Sequence, residues 1–133
     1  MASILYVDDE FYNQQIAGFI LEGKGYQVAF ARDGQEALEK LALYPVDLVI
    51  TDIHMPRMDG LSLLEELRAS ESFQHLPVIV VTASGREKIA KNALQKGANG
   101  ILTQPYGSWE LQSLVLHVLQ AGVASRPVQS SFI

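Results

Sequence analysis

A chain of 133 residues with 48% apolar and 19% charged side chains has the make-up of one globular domain rather than of a disordered segment. Its net charge of −5, with no dense Lys/Arg window, argues against a nucleic-acid footprint, which needs a basic face. The absence of cysteine rules out disulfides and thiolate metal sites, and no apolar run reaches membrane-spanning length.

Ser3-Ile4-Leu5-Tyr6-Val7 is a short apolar run that stops at Asp8-Asp9-Glu10 and reads as a first strand. Starting at Ser3, it leaves no room for a signal peptide, so the expected location is cytoplasmic. From Phe11 to Glu22, Ile16, Phe19 and Ile20 recur at helical spacing, and Gly23 and Gly25 act as stop signals. Tyr26–Phe30 alternates as a second strand, and Asp33 is placed to cap a helix carrying Ala37, Leu38 and Leu41. Pro45 ends that helix, and Val46–Thr51 is a buried-strand run that delivers Asp52.

Asp59 or Gly60 opens a third helix with Leu63, Leu64 and Leu67 inward. Pro77–Thr82 is the most apolar strand, as expected of one covered on both faces. A fourth helix carries Ile89, Ala90, Ala93 and Leu94 and closes at Gly97. Gly100–Thr103 is a short fifth strand, followed by Gln104-Pro105. Ser108 is expected to cap a last helix with Leu111, Leu114, Val115, Val118 and Leu119 on one face. Strands alternating with helices predict an α/β, doubly wound parallel sheet with right-handed crossovers. Residues 1–121 form the expected domain, and 122–133 a C-terminal tail or the start of a linker.

In such a sheet the C-terminal ends of the strands share one edge, where open α/β folds keep their ligand sites. Asp8 and Asp9, Asp52, Thr82 and Gln104 all fall there. Three converging carboxylates repel one another and raise at least one pKa unless a cation sits among them. An all-oxygen donor set suits Mg²⁺ better than a transition metal. Asp52 beside that cation becomes a candidate nucleophile for in-line phosphoryl transfer, with the Thr82 hydroxyl and nearby backbone N–H groups to receive phosphoryl oxygens.

Taken together, Asp8-Asp9, the D-I-H-M-P-R-M-D-G loop from Asp52 to Gly60, Thr82-Ala83 and Pro105 resemble the receiver domain of two-component response regulators. The resemblance runs from about Ile4 to Leu119 and implies a flavodoxin-like (βα)5 fold of strand order 2-1-3-4-5. It implies phosphorylation of Asp52 by a histidine kinase, a phosphotransfer protein or a small phosphodonor. Mg²⁺ (or Mn²⁺) would be held by Asp9, Asp52 and the backbone carbonyl of His54, with Asp8 direct or through water. Thr82, Ala83 and Gln104 would contact the phosphoryl group, and the His54 and Ser84 side chains would tune its lifetime. Pro105, after a cis peptide, and Gly60 would be structural. Output would pass through protein contacts, or a dimer, on the face of the fourth helix, fifth strand and fifth helix. No nucleic acid, membrane or free-metabolite turnover is expected beyond self-catalysed phosphotransfer and dephosphorylation. With no output segment after the fifth helix, the chain reads as a stand-alone regulator or as a receiver cut from a longer regulator or hybrid kinase.

Two positions depart from the family pattern. Gln104 stands where a lysine is usual, and losing a cation about 4 Å from a charge removes on the order of 4 kcal/mol at an effective dielectric of 20, before solvent discounts it. Arg86 is a candidate partial substitute. Ile101 stands where an aromatic ring usually rotates as Thr82 moves, so weak conformational readout is expected. These changes motivate a second reading, a phosphorylation-independent adaptor. A phosphatase of the haloacid-dehalogenase type would need an acid two residues after Asp52, where His54 stands, and flavin binding would need a hydroxyl- and Gly-rich loop in place of Asp8-Asp9-Glu10. Trp109 and Leu116, off the main apolar stripe, are either ordinary surface residues or a partner patch.

Overall fold

The computed structural model describes residues 2–121 and the backbone of 128–129. Its elements are β1 (Ser3–Val7), α1 (Phe11–Glu22), β2 (Gln27–Ala31), α2 (Gly34–Leu43), β3 (Leu48–Asp52), α3 (Gly60–Ala69), β4 (Val78–Ala83), α4 (Glu87–Gln95), β5 (Gly100–Gln104), α5 (Ser108–Ala121) and β6 (Val128–Gln129). All pairings are parallel, in the order β2-β1-β3-β4-β5-β6. The expected 2-1-3-4-5 sheet is therefore present. It carries one addition, a two-residue strand on the β5 edge, drawn from the segment read as a tail; the remainder of 122–133 lies outside the described residues.

Two apolar layers cover the sheet. One packs β1, β3 and β4 residues such as Leu5, Val49 and Val80 against Leu41, Leu63, Leu64 and Leu67. The other packs Tyr6, Ile50 and Val81 against Leu21, Leu111, Leu114 and Val118. The central strands face both layers, which is why they are apolar throughout.

Helix boundaries follow local chemistry. Asp33 and Asp59 are N-caps, accepting from the N–H groups of Glu36 and Ser62 at 2.8 Å each. Ser108 differs from expectation: it is the first helical residue of α5, and the Glu110 carboxylate takes the Gly107 N–H at 2.9 Å. In α1 the buried side is Gln14, Ala17, Gly18 and Leu21, while Ile16 and Phe19 are exposed. Small residues select that side, because a Cβ on Gly18 would lie 2.7 Å from the Phe30 ring. On the other side of the fold, the half-buried Arg68 guanidinium donates to the carbonyls of Leu76 and Gly97 and to Asn99, tying two loops together.

The loop after β3 is latched to the start of α2. Arg57 donates to both oxygens of Asp33, at 2.7 and 3.1 Å, and the Gly34 N–H donates to the Met58 carbonyl at 2.9 Å. The guanidinium holds the Asp33 carboxyl below its usual range. That contribution to stability is present above the ordinary carboxylate pKa and is lost as pH falls through the lowered one. Arg57 sits at φ 64, a left-handed backbone that costs any residue with a Cβ. Arg57→Ala keeps that strain and loses the latch, whereas Arg57→Gly loses both. Urea unfolding is expected to rank Arg57→Ala below Arg57→Gly; equal midpoints would contradict it.

Candidate functional site

The site lies where β1, β3, β4 and β5 end. Asp52 is the last paired residue of β3, opposite Val81, and Thr82 and Ala83 pair with Thr103 and Gln104. These three candidate positions are thus fixed by the hydrogen-bond ladder rather than carried on free loops. Asp8 follows β1 directly, with its N–H bonded to the Ala31 carbonyl at 3.0 Å. Carboxylate oxygens of Asp8, Asp9 and Asp52 lie within 4.8 Å of one another, with Asp8 buried, Asp52 half-buried and Asp9 exposed.

Two backbone contacts set Asp52. Its Oδ1 accepts the Ile53 N–H at 2.8 Å, and the Thr51 hydroxyl donates to its carbonyl at 2.9 Å. The Gly60 N–H donates to the Ile53 carbonyl at 2.8 Å, bringing α3 against the strand end. A Cβ on Gly60 would lie 2.1 Å from the Asp52 carbonyl oxygen, so glycine is the residue that fits. Burial, then the charges of Asp8 and Asp9, push the Asp52 carboxyl up to about 6, against the Ile53 N–H that lowers it. The Asp8 carboxyl is also raised, chiefly by burial.

The other predicted residues lie in β4 and β5 and on the loops that follow β3 and β4. Thr82 is buried at the end of β4, and Ala83 and Ser84 are exposed beyond it. Gln104 is half-buried, accepts the Ser84 N–H on its carbonyl at 3.1 Å, and precedes a cis peptide to Pro105, as expected. His54 is exposed at the mouth, near enough for its charge to lower the Asp52 pKa. Arg86 is exposed and lines a cavity of about 600 Å³ with Thr82, Lys91, Ile101 and Thr103. Ile101 is 2% exposed, wholly inside the core layer, and has no ring to exchange between core and solvent.

Sequence reasoning missed the supports. Asn13 and Gln14 on the first turn of α1 bond to Asp8, at 3.1 Å to Oδ2 and at 2.8 Å to its carbonyl. The hydroxyl of buried Tyr6 meets that of Tyr106 at 3.1 Å, joining β1 to the loop after β5. Burial raises both phenols, and the fields of Asp8 and Asp52 add to it. A polar residue within one helical turn of Asp8-Asp9 was the available signal for Asn13. The tyrosine pair spans 100 residues and had none.

The family model of the response regulator receiver domain matches residues 4–116. The chain belongs to that family. This receiver domain is 38% identical over 104 residues to chemotaxis protein CheY-3 of Vibrio cholerae, covering 77% of this chain and 80% of that protein. It is 34% identical over 128 residues to the hybrid signal transduction histidine kinase D of Dictyostelium discoideum, covering 95% of this chain but 8% of the kinase. Several relatives are therefore far longer than this chain. The receiver domain of a signal transduction histidine kinase from Syntrophus aciditrophicus superposes with a TM-score of 0.86 at 32% identity, covering 94% and 95% of the two chains. These likenesses establish a two-component receiver with the flavodoxin-like fold and lend no support to the phosphorylation-independent adaptor. No described helix is long and apolar enough to cross a membrane.

The raised Asp52 pKa has a definite sign. Between about pH 4 and pH 6 the unfolded chain ionises this group while the folded domain keeps it protonated, so stability falls as pH rises through that window and stays lower above it. Metal-free Asp52→Asn is expected to be more stable than the parent by ~1–2 kcal/mol at pH 7, allowing for screening of a half-exposed group, and nearly equal at pH 4. Urea unfolding at the two pH values checks this; a pH-independent difference would contradict it.

Proposed function

We propose that Asp52 is the phosphoacceptor of this receiver and that the acidic cluster is its divalent-cation site. The carrying observation is that Asp8, Asp9 and Asp52 crowd their carboxylate oxygens within 4.8 Å, where burial and the neighbouring charges together raise the Asp52 pKa. A crowded, oxygen-only, partly open donor set fits Mg²⁺ or Mn²⁺. Asp9, Asp52 and the His54 carbonyl would hold the ion, with Asp8 direct or through water. Such an ion supplies charge neutralisation for the carboxylates and for the incoming phosphoryl oxygens.

The chain's own groups divide the remaining work. Asp52 Oδ1 is engaged by the Ile53 N–H, which leaves Oδ2 to attack phosphorus. The new O–P bond forms as the N–P bond of a kinase or phosphotransfer-protein phosphohistidine breaks, and the released imidazole takes a proton from solvent. The Thr82 hydroxyl, the Ala83 N–H and the Gln104 amide are the neutral donors set around the phosphoryl oxygens. In dephosphorylation a water oxygen bonds to the same phosphorus as the Asp52 O–P bond breaks, releasing inorganic phosphate and a proton to solvent and returning the Asp52 carboxylate, with His54 and Ser84 tuning water entry. The module works on itself and turns over no free metabolite.

Residues 1–121 are the receiver unit in this reading, and 122–133 a tail or linker start. Output passes to a protein target, or a second copy, through the α4-β5-α5 face, in a cytoplasmic setting without direct nucleic-acid or membrane contact. Because Ile101 is buried and brings no ring to swing between core and solvent, conformational readout on that face is weak.

Beryllofluoride with Mg²⁺, followed by amide NMR shifts, tests both parts. Saturable, Mg²⁺-dependent binding that disappears in Asp52→Asn is expected, with shifts concentrated at the strand ends. No binding at millimolar Mg²⁺ would contradict the phosphoacceptor, and large concerted shifts over α4, β5 and α5 would contradict the weak readout.

A further inference from the structure

We propose that Asn13 is a positioning residue of the acidic site, whose side-chain amide fixes the orientation in which Asp8 meets a divalent cation. The proposal rests on reading the Asp8-Asp9-Asp52 cluster as a cation site. A carboxylate buried beside two others is driven to turn away from them unless something holds it. Asp8 is 1% exposed, and three donors from the start of α1 hold it. The Glu10 N–H reaches Oδ1 at 2.9 Å, Asn13 Nδ2 reaches Oδ2 at 3.1 Å, and Gln14 Nε2 reaches the carbonyl oxygen at 2.8 Å.

All three donors are neutral. They orient Asp8 without cancelling its charge, so its full attraction for a cation is kept. Each carboxylate oxygen accepts one N–H and retains further acceptor capacity for a metal or for a metal-bound water. The three contacts are not equivalent. Glu10 acts through its backbone, and Gln14, itself 8% exposed, grips the Asp8 backbone rather than the carboxylate. Asn13 is thus the side chain, among the described residues, that holds the carboxylate. It is half-buried, so it can be changed without opening the core. It also lines a cavity of about 400 Å³ with Ile16, Gln104, Pro105 and Tyr106, which places it between Asp8 and the loop after β5. Residues that orient metal ligands in this way change affinity about 10-fold or more when removed.

The test is Mg²⁺ titration of the full chain, read by the Asp9 and Ile53 amide shifts, for the parent, Asn13→Ala and Asn13→Leu, with thermal unfolding of each in the absence of metal. Leucine keeps the bulk and removes the donor, which separates packing from hydrogen bonding. Both variants are expected to bind Mg²⁺ about 10-fold more weakly with metal-free midpoints close to the parent's. Unchanged affinity in both, against a parent that binds, would overturn the proposal alone. A parent that fails to bind Mg²⁺ would overturn the cation-site reading, and the proposal with it.

Discussion

Mutual repulsion among Asp8, Asp9 and Asp52 is the constraint on which the functional edge of this domain depends. Burial first, and then like charges within 4.8 Å, disfavour the ionised form, and the Asp52 carboxyl moves up to about 6. A folded protein keeps such an arrangement only if the scaffold over-determines it. Here the parallel ladder does so: Asp52 is still paired, and Asp8 is tethered to the end of β2 through the Ala31 carbonyl. The free energy lost to this repulsion is what a cation held among the three carboxylates would recover.

The surroundings are consistent with that logic in being almost wholly neutral. Backbone N–H groups, the Asn13 and Gln14 amides and the Thr51 hydroxyl contact the acidic residues, and the guanidinium of Arg57 pairs with Asp33 instead. Gln104 continues the pattern where the family usually supplies a lysine. A neutral shell orients carboxylates without quenching them, so charge compensation would fall to a cation held among them. Arg86, considered from sequence as a stand-in cation, lines the cavity beside α4 together with Thr82, Ala83 and Ile101.

Much of this was legible in the sequence because strand ends coincide with the ends of apolar runs. Asp8, Asp52 and Thr82 were found that way, Asp33 as a cap by its spacing before a helical segment, and the start of α3 to within one residue. The strands β2 to β5 nevertheless extend a residue beyond the apolar runs, since the ladder follows hydrogen bonding and the sequence pattern follows burial. Periodicity identified α1 but not its inner side: Ile16 and Phe19 face solvent because Ala17 and Gly18 admit closer packing against the sheet. Long-range pairs were out of reach. The Arg57–Asp33 latch spans 24 residues and the Tyr6–Tyr106 contact 100, and neither residue type announces a partner at that distance. The β6 strand was equally hidden, being two residues long within a Ser-rich segment.

The central claim, that crowding of three carboxylates is what makes this edge of the sheet bind a cation, is tested most directly at the Asp52 carboxyl itself. In a pH titration of its side-chain carbon resonance by NMR, the midpoint without metal reads burial and crowding together, and its change with Mg²⁺ reads the relief of the crowding. The account predicts a midpoint of about 6 without metal and a clear fall when Mg²⁺ is added. A midpoint in the ordinary carboxylate range, unmoved by Mg²⁺, would contradict it.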